Sequence, residues 1–245
     1  MCGRFALITP PVRLARYFQA TLDDRVDPEQ HPSWNVAPTD QVLGVTARRA
    51  GGHDDITRRA GGHDDITRVL ATFRWGLIPS WAKDATAGSR LFNARGETVG
   101  TKPSFRAAFR GSRIIVPADG FFEWHKASNG RRQPHYFTRA DGAPLAMAGL
   151  SEWWRDRRAP ADAPTIHSCS IITTTASQDM DGIHDRMPVV LDPDTFDVWL
   201  DPDTEDLAEL TALVRAAPAG TIVHHPVDQR VGSVRNNDPG LVTPI

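Results

Sequence analysis

The sequence predicts an α+β fold, a β-rich arrangement of mostly antiparallel strands with a few short helices. Many short runs of β-branched and aromatic residues are separated by turn-forming residues, which is typical of β structure. Only a few segments have the apolar spacing of a helix, and all of them are short. No stretch has the composition of a linker, so we expect residues 1–245 to form a single domain.

The first part of the chain is predicted to contain one helix and two long strands. A short capped helix follows Thr9-Pro10-Pro11, because proline suits the first helical turn. Residues 23–33 are polar and predict a loop. Residues 41–46 and 69–75 have strand-forming composition, and they flank an unusual segment of the chain.

That segment is a tandem duplication in which residues 49–58 recur identically as residues 59–68. Two copies are too few to bury the core of a solenoid. The paired glycines and paired acidic residues predict a hairpin tip or a mobile loop. His53-Asp54-Asp55 and its copy also allow a metal site, although a solvated loop is the simpler interpretation.

The second half of the chain is predicted to alternate short strands with short helices. Strands are expected at residues 113–116 and 120–124, interrupted at Pro117. The pair Asp141-Gly142 predicts a tight hairpin between strands at residues 134–138 and 144–150. The other predicted segments are a loop at 84–90, helices at 103–110, 195–200 and 204–216, and strands at 168–175, 189–191 and 221–225.

Composition restricts the function classes. The net charge of −2 gives no general attraction to nucleic acid, so any phosphate-binding surface must be local. The two cysteines fit a reducing compartment, and Cys169 is expected to be an inert residue of a buried strand. We find neither a run of about 18 apolar residues nor a signal peptide. We therefore expect a cytoplasmic protein, associated with the nucleoid if the source is bacterial, with no membrane contact.

The beginning of the chain, Met1-Cys2-Gly3-Arg4-Phe5, has the most distinctive chemistry. If Met1 is removed, Cys2 carries a free α-amine and a thiol on adjacent carbons. The amine can attack an aldehyde to form an imine, and the thiol can then close a five-membered thiazolidine ring. At reference pKa values, roughly a tenth to a third of the amine is neutral near pH 7, and a few per cent of the thiol is thiolate. For Cys2 alone, a small buried residue after a start codon is the simpler interpretation.

Imine chemistry also needs groups that move protons, and three residues are candidates. Glu123 lies among three aromatic residues, a setting that raises a carboxyl pKa and suits a proton shuttle. Strand alternation equally allows Glu123 to point to water. His184, in a predicted loop, and Asn93, beside Arg95, are weaker candidates when each is taken alone.

Taken together, these segments resemble the SRAP (SOS response-associated peptidase) family, whose members crosslink to abasic sites in single-stranded DNA. Seven motifs match in order along essentially the whole chain, and the long hairpin with the duplication is the main departure from the family pattern. The motifs are MCGRF (1–5), WNVAP (34–38), WGLIPSW (75–81), NARGET (93–98), ADGFFEW (118–124), IHDRMP (183–188) and the tail at 231–237.

The resemblance implies roles for particular residues. Cys2 would be the nucleophile, Asn93 would orient the sugar, Glu123 would act as acid and base, and His184 would assist sugar ring opening. An abasic sugar is mostly a closed hemiacetal, so proton transfer is needed to expose its aldehyde. The DNA-contacting residues implied are Arg4, Pro38, Trp81, Arg95, Thr173 and Arg186.

The implied function is a DNA repair protein that senses abasic sites in single-stranded DNA, at junctions with double-stranded DNA, and crosslinks to them through Cys2. The imine intermediate also permits a lyase activity that cleaves the strand. Two alternatives stay open: an N-terminal-nucleophile thiol peptidase, as the family name suggests, and a non-covalent single-stranded DNA-binding module. We expect a monomer without a cofactor, and the absence of Cys-x-x-Cys spacing predicts no metal.

Overall fold

The computed structural model describes residues 2–49, 66–126, 130–160, 162–204 and 206–245. These residues form two β-sheets and five short α-helices, which confirms the predicted α+β class. The helices are α1 (Pro11–Tyr17), α2 (Gly96–Val99), α3 (Arg106–Gly111), α4 (Phe196–Leu200) and α5 (Leu207–Leu213). The strands are β1 (Phe5–Leu7), β2 (Ala20–Leu22), β3 (Ser33–Val36), β4 (Gln41–Arg49), β5 (Ile66–Trp75), β6 (Asn93–Arg95), β7 (Arg113–Ala118), β8 (Gly120–Lys126), β9 (Arg132–Arg139), β10 (Leu145–Trp154), β11 (Ile166–Thr175), β12 (Arg186–Pro188) and β13 (Ile222–Pro226).

The two sheets differ in size and in strand direction. The smaller sheet has the order β13-β9-β8-β1-β3, and all its pairings are antiparallel. The larger sheet has the order β12-β11-β10-β7-β4-β5-β2, with β6 beside β11. Its parallel pairings are β2 with β5, β5 with β11, and β6 with β11. Because β1 lies between β8 and β3, the first residues of the chain are held in the interior of the smaller sheet.

The Asp141-Gly142 pair forms a turn, but the predicted hairpin is wrong. Gly142 has a φ of +75°, a conformation that glycine adopts without steric cost. However, β9 pairs with β8 and β13 in the smaller sheet, whereas β10 pairs with β7 and β11 in the larger one. The turn therefore passes the chain from one sheet to the other.

The boundary between β7 and β8 also differs from the prediction. Strand β7 continues through Pro117, which lies opposite Ala146, and ends before Asp119. The carboxylate of Asp119 accepts hydrogen bonds from the backbone N–H of Thr9 at 2.8 Å and from the Thr9 hydroxyl at 2.5 Å. Thr9 thus contacts the residue between β7 and β8. No side chain caps α1, contrary to the prediction.

Several other elements begin or end away from their predicted residues. Strands β4 and β5 extend into the duplicated segment, with Arg49 opposite Ile66, and the predicted tip at residues 50–65 lies outside the described residues. The predicted loop at 84–90 contains a 3-10 turn, Ala85–Arg90. Instead of a strand at 189–191, the structure has β12 directly after His184 and Asp185. None of the helices in the described part of the chain is both long and apolar enough to cross a membrane.

Strand β8 separates two hydrophobic clusters. Phe121 packs in the larger cluster, which also contains Cys2 and most of the core. Phe122 packs on the other face, in a smaller cluster covered by the last residues of the chain. Since both faces of β8 are covered, Glu123 must be buried on the same face as Phe121.

Candidate active site

Strand pairing brings the beginning of the chain beside Glu123. Phe5 lies opposite Phe121 in the antiparallel pair of β1 and β8, and the N–H of Phe122 donates to the carbonyl of Arg4 at 3.0 Å. The same register continued toward the chain start places the residues before β1 alongside Glu123. Cys2 is completely buried there, with 0% of its surface exposed.

Asn93 fixes the backbone of Cys2. Its side-chain Nδ2 donates a hydrogen bond to the carbonyl oxygen of Cys2 at 2.7 Å. Asn93 is held in place because β6 pairs in parallel with β11, where Asn93 lies opposite Ile171. The Asn93 Oδ1 atom is buried and has no hydrogen-bond partner among the described residues. It is therefore free to accept a hydrogen bond from a bound substrate.

Glu123 is a buried carboxyl group, with only 3% of its surface exposed. Of the two alternatives for Glu123, the one in which it points to water is wrong, because the larger core covers its face of β8. Burial raises the pKa of Glu123, and the nearby His184 acts in the opposite direction. A raised pKa makes the carboxylate a stronger proton acceptor than an ordinary glutamate, which fits the predicted acid-base role.

His184 faces Glu123 from the segment before β12. Its Nε2 atom is 3.9 Å from Oε2 of Glu123. Its Nδ1 atom accepts a hydrogen bond from the backbone N–H of Arg186 at 2.9 Å, and it is also 3.0 Å from Oδ1 of Asp185. The backbone donor is fixed while the Asp185 side chain is mostly exposed, so we assign the lone pair to Nδ1 and the proton to Nε2. The Nε2–H group then points toward Glu123.

The thiol of Cys2 differs from the expectation based on reference values. Burial is the main cause that raises the pKa of the Cys2 thiol well above its usual range, and the negative charge of Glu123 raises it further. The thiol is therefore protonated near neutral pH, and the estimate of a few per cent thiolate is wrong for the folded chain. A reaction at this site needs a base that removes the thiol proton at the moment of attack.

The predicted DNA-contacting residues fall into two groups. Arg95 and Trp81 are exposed, Trp81 with 61% of its surface accessible, and Pro38 is partly exposed. Arg4 and Arg186 are instead bonded within the protein, and Thr173 is fully buried. The first group is free to meet a ligand, whereas the second group contacts other residues of the chain.

Arg186 bridges two elements beside His184. Its guanidinium forms an ion pair with Glu97 and donates to the carbonyl of Thr173 at 2.6 Å. Thr173 in turn lies opposite Arg95 in the pairing of β11 with β6. These contacts link Arg186, through the buried Thr173, to the strand that carries the exposed Arg95.

Asn35 is a residue whose structural role the sequence reasoning missed. Its Oδ1 accepts a hydrogen bond from Nη1 of Arg4 at 2.8 Å. Its Nδ2 lies within hydrogen-bond distance of the carbonyl oxygens of Val231, Ser233 and Asn236, at 3.2, 3.0 and 2.9 Å. Asn35 thus ties β3, Arg4 and the C-terminal segment together. The only sequence signal was its place in the motif at residues 34–38.

The polar side chains around Cys2 are few and of three different kinds. Within the described ranges, no group of three or more His, Cys, Asp or Glu side chains is arranged to hold a metal ion. The donors around Cys2 are one amide, one carboxyl group and one imidazole, which fit proton transfer. The fold and this arrangement define a β-rich protein in which Cys2, near the start of the chain, is buried beside a carboxyl group, an amide and an imidazole.

The chain belongs to the SRAP family, because the model for "SOS response associated peptidase (SRAP)" matches residues 1–234. It is 35% identical over 244 residues to the abasic site processing protein YoqW of Bacillus subtilis, covering 99% of each chain. It is 32% identical to the abasic site processing protein HMCES of Gallus gallus, covering 100% of this chain and 78% of HMCES. A crystal structure of a protein from Bacteroides thetaiotaomicron has the same fold, with a TM-score of 0.80, 23% identity and full coverage of both chains.

Proposed function

We propose that this protein processes abasic sites in single-stranded DNA, and that Cys2 forms a covalent thiazolidine crosslink with the sugar after Met1 is removed. One observation carries the proposal: the carbonyl of buried Cys2 is held by Asn93 at 2.7 Å, and Glu123 interacts electrostatically with its thiol. The names of the relatives YoqW and HMCES support an abasic-site substrate. The order of the matching motifs supports the same role for the N-terminal cysteine.

The raised pKa of the thiol supports a sequence of steps in which the amine reacts first. The α-amine of Cys2 attacks the aldehyde carbon, and loss of one water molecule leaves an imine. The sulfur then forms a bond to the imine carbon, the C=N double bond becomes a C–N single bond, and the thiol proton is transferred to the nitrogen. Because this second attack is intramolecular, it does not require a preformed thiolate.

Glu123 and His184 supply the proton transfers in this scheme. Glu123 accepts the thiol proton and returns it to the nitrogen, which its burial beside Cys2 favours. His184 donates from Nε2 toward the sugar ring oxygen as the hemiacetal opens. Its position 3.9 Å from Glu123 allows the two groups to exchange a proton after a small movement or through one water molecule.

The exposed residues support binding to a single strand. Trp81 offers a flat surface on which a base can stack, and Arg95 offers a guanidinium for a phosphate. Pro38 would cover the base beside the lesion, while Arg4 and Arg186 would border the sugar-phosphate path, and the buried Thr173 would hold the Arg186 guanidinium in place. We also propose a preference for junctions with double-stranded DNA, because the exposed Trp81 could stack on the last base pair of a duplex. We further propose that the chain acts as a monomer built of one domain.

The peptidase alternative has less support. A thiol peptidase attacks a peptide carbonyl with a thiolate, whereas burial disfavours the thiolate of Cys2. The imine route also explains a lyase activity, since elimination from the imine cleaves the DNA strand before the thiol closes the ring. Strand cleavage and crosslinking would then compete for one intermediate.

The Cys2→Ser variant, prepared without Met1 and incubated with single-stranded DNA that holds one abasic site, tests this proposal. The variant keeps the amine but loses the sulfur, so it should give a heat-stable adduct only after borohydride reduction. The wild-type protein should give one without borohydride. Equal heat-stable adduct from both proteins without borohydride would refute the thiazolidine, and no adduct from either would refute the imine route as a whole.

A further inference from the structure

A group of histidines lies on the smaller sheet, outside the contacts that define the candidate active site. His135 is on β9 and His224 is on the neighbouring strand β13. In the register of these strands, Phe137 lies opposite His224, and His135 lies opposite Glu123 on β8. His135 is therefore the direct cross-strand neighbour of Glu123 on the same face of the sheet, and His224 lies one strand further out.

The two histidines present nitrogen atoms to each other at short range. Nδ1 of His135 and Nδ1 of His224 form a hydrogen bond of 3.1 Å, so one of the two nitrogens carries the shared proton, and the ring centroids are 5.0 Å apart. If a transition-metal ion were bound about 2.0–2.1 Å from each nitrogen, the nitrogen–metal–nitrogen angle would be about 95–100° at this spacing. That angle lies between the ideal values for octahedral and tetrahedral coordination, so both rings can bind one ion after a small rotation.

A metal ion would displace the proton that the two nitrogens share, and the surroundings of both imidazoles disfavour their charged form. Burial lowers the pKa of His135 and of His224, and the neighbouring histidines lower both further. Neutral imidazoles keep a lone pair for a metal, whereas protonated ones do not.

We propose that His135 and His224 form a two-histidine site for a divalent first-row transition-metal ion, with water completing the coordination. Imidazole ligands favour Zn²⁺, Ni²⁺ and Cu²⁺ over Mg²⁺ and Ca²⁺, which prefer oxygen. Among the residues that the structure describes, no third His, Cys, Asp or Glu completes the group. A further imidazole, that of His125, has its ring centroid 6.4 Å from that of His135.

A bound ion would link β13, the edge strand of the smaller sheet, to β9 by two coordinate bonds. An ion that binds the folded chain and not the unfolded chain raises the free energy of unfolding by mass action. The site is thus detectable through stability as well as through binding, and neither readout requires DNA. Its failure would leave the proposed abasic-site chemistry untouched.

The matched control for this site is His225, which follows His224 on β13 but points to the opposite face. His225 packs against Tyr136, and its Nε2 lies 3.0 Å from the carbonyl oxygen of Val242. Glutamine can keep that hydrogen bond as a donor. His225→Gln therefore changes the histidine count by one without touching the proposed site.

The test is calorimetric titration of the tag-free full chain with NiCl₂, for the wild type and for His224→Gln, His135→Gln and His225→Gln. We expect the wild type and His225→Gln to bind Ni²⁺ with equal affinity and to show the same rise in melting temperature. The other two variants should bind at least tenfold more weakly and show no rise, with metal-free melting temperatures that demonstrate folding. Ni²⁺ binding that is unchanged in His224→Gln and His135→Gln would place the ion elsewhere and overturn the proposal, as would no binding by the wild type.

Discussion

The two cysteines of the chain make an informative comparison. Cys2 and Cys169 are both completely buried, and burial raises the pKa of both thiols far above the usual range. Cys169 lies in the middle of β11, opposite Ser151 on one side and Trp75 on the other. Cys2 lies just before β1, where Glu123 adds its charge and Asn93 binds the backbone.

Burial of a thiol alone therefore says little about its role. The groups around Cys2 are expensive to bury, because a carboxyl group and an amide oxygen lose their contact with water. Such groups are retained in a folded chain most often where they serve a site. The polar neighbours of Cys2, and not its burial, distinguish it from Cys169, and changes to those neighbours should have the largest effects.

The largest effect is expected from Glu123→Gln. Glutamine keeps the shape of the side chain but cannot transfer a proton, so the rate of crosslinking to abasic single-stranded DNA should fall about 10²- to 10⁴-fold. The measurement is the single-turnover rate of heat-stable adduct formation. A rate within threefold of the wild type would mean that the carboxyl group near Cys2 is no more than a structural neighbour.

A smaller effect is expected from Asn93→Ala, which removes the donor to the Cys2 carbonyl. Loss of a hydrogen bond to a buried carbonyl costs about 1–3 kcal/mol, so the crosslinking rate should fall about 5- to 150-fold. The variant should still bind intact single-stranded DNA, as measured by fluorescence anisotropy. A loss of DNA binding that equals the loss of rate would assign Asn93 to the DNA surface instead.

Arg95→Ala should change DNA binding at the exposed surface without changing the chemistry at the buried site. Removing one phosphate contact should weaken binding to single-stranded DNA several-fold, and should reduce the slope of log K against log salt by about 0.7. The crosslinking rate at saturating DNA should stay within threefold of the wild type. An unchanged salt slope would show that Arg95 does not contact a phosphate.

The smallest effect concerns stability and its dependence on pH. The raised pKa of folded Glu123 means that its ionised form destabilises the folded chain, so wild-type stability is lost as the pH rises through that pKa. Glu123→Gln lacks this loss. We expect the melting temperature of the variant to exceed that of the wild type at pH 8, and the difference to shrink as the pH falls to 5. A difference that does not change with pH would contradict a buried, titrating carboxyl group.

Local sequence patterns predicted where individual strands lie better than they predicted which strands pair with each other. Alternation and β-branched composition identified the strands β4, β5, β11 and β13 to within a few residues, because these signals depend on neighbours in the chain. The Asp141-Gly142 pair predicted a turn, and a turn is present. A turn signal cannot say which sheet the next strand joins, so the hairpin prediction was wrong.

The candidate site shows the same limit. Four distant segments of the chain supply the residues of the site, Cys2, Asn93, Glu123 and His184. From the sequence, only the family resemblance groups them. The parallel pairing of β6 with β11 brings Asn93 to Cys2, and nothing in the short run around Asn93 indicates that pairing. Asn35 was missed for a similar reason, since its partners lie about 200 residues away in the sequence.

The most direct test of the central claim is the intact mass of the protein after incubation with single-stranded DNA that holds one abasic site. The samples are the wild type without Met1, Cys2→Ala and Cys169→Ala. The account predicts a heat-stable adduct for the wild type and for Cys169→Ala, at the mass of one protein plus one DNA minus one water molecule, and none for Cys2→Ala. An adduct that persists in Cys2→Ala, or that disappears in Cys169→Ala, would contradict the assignment of the chemistry to the first cysteine.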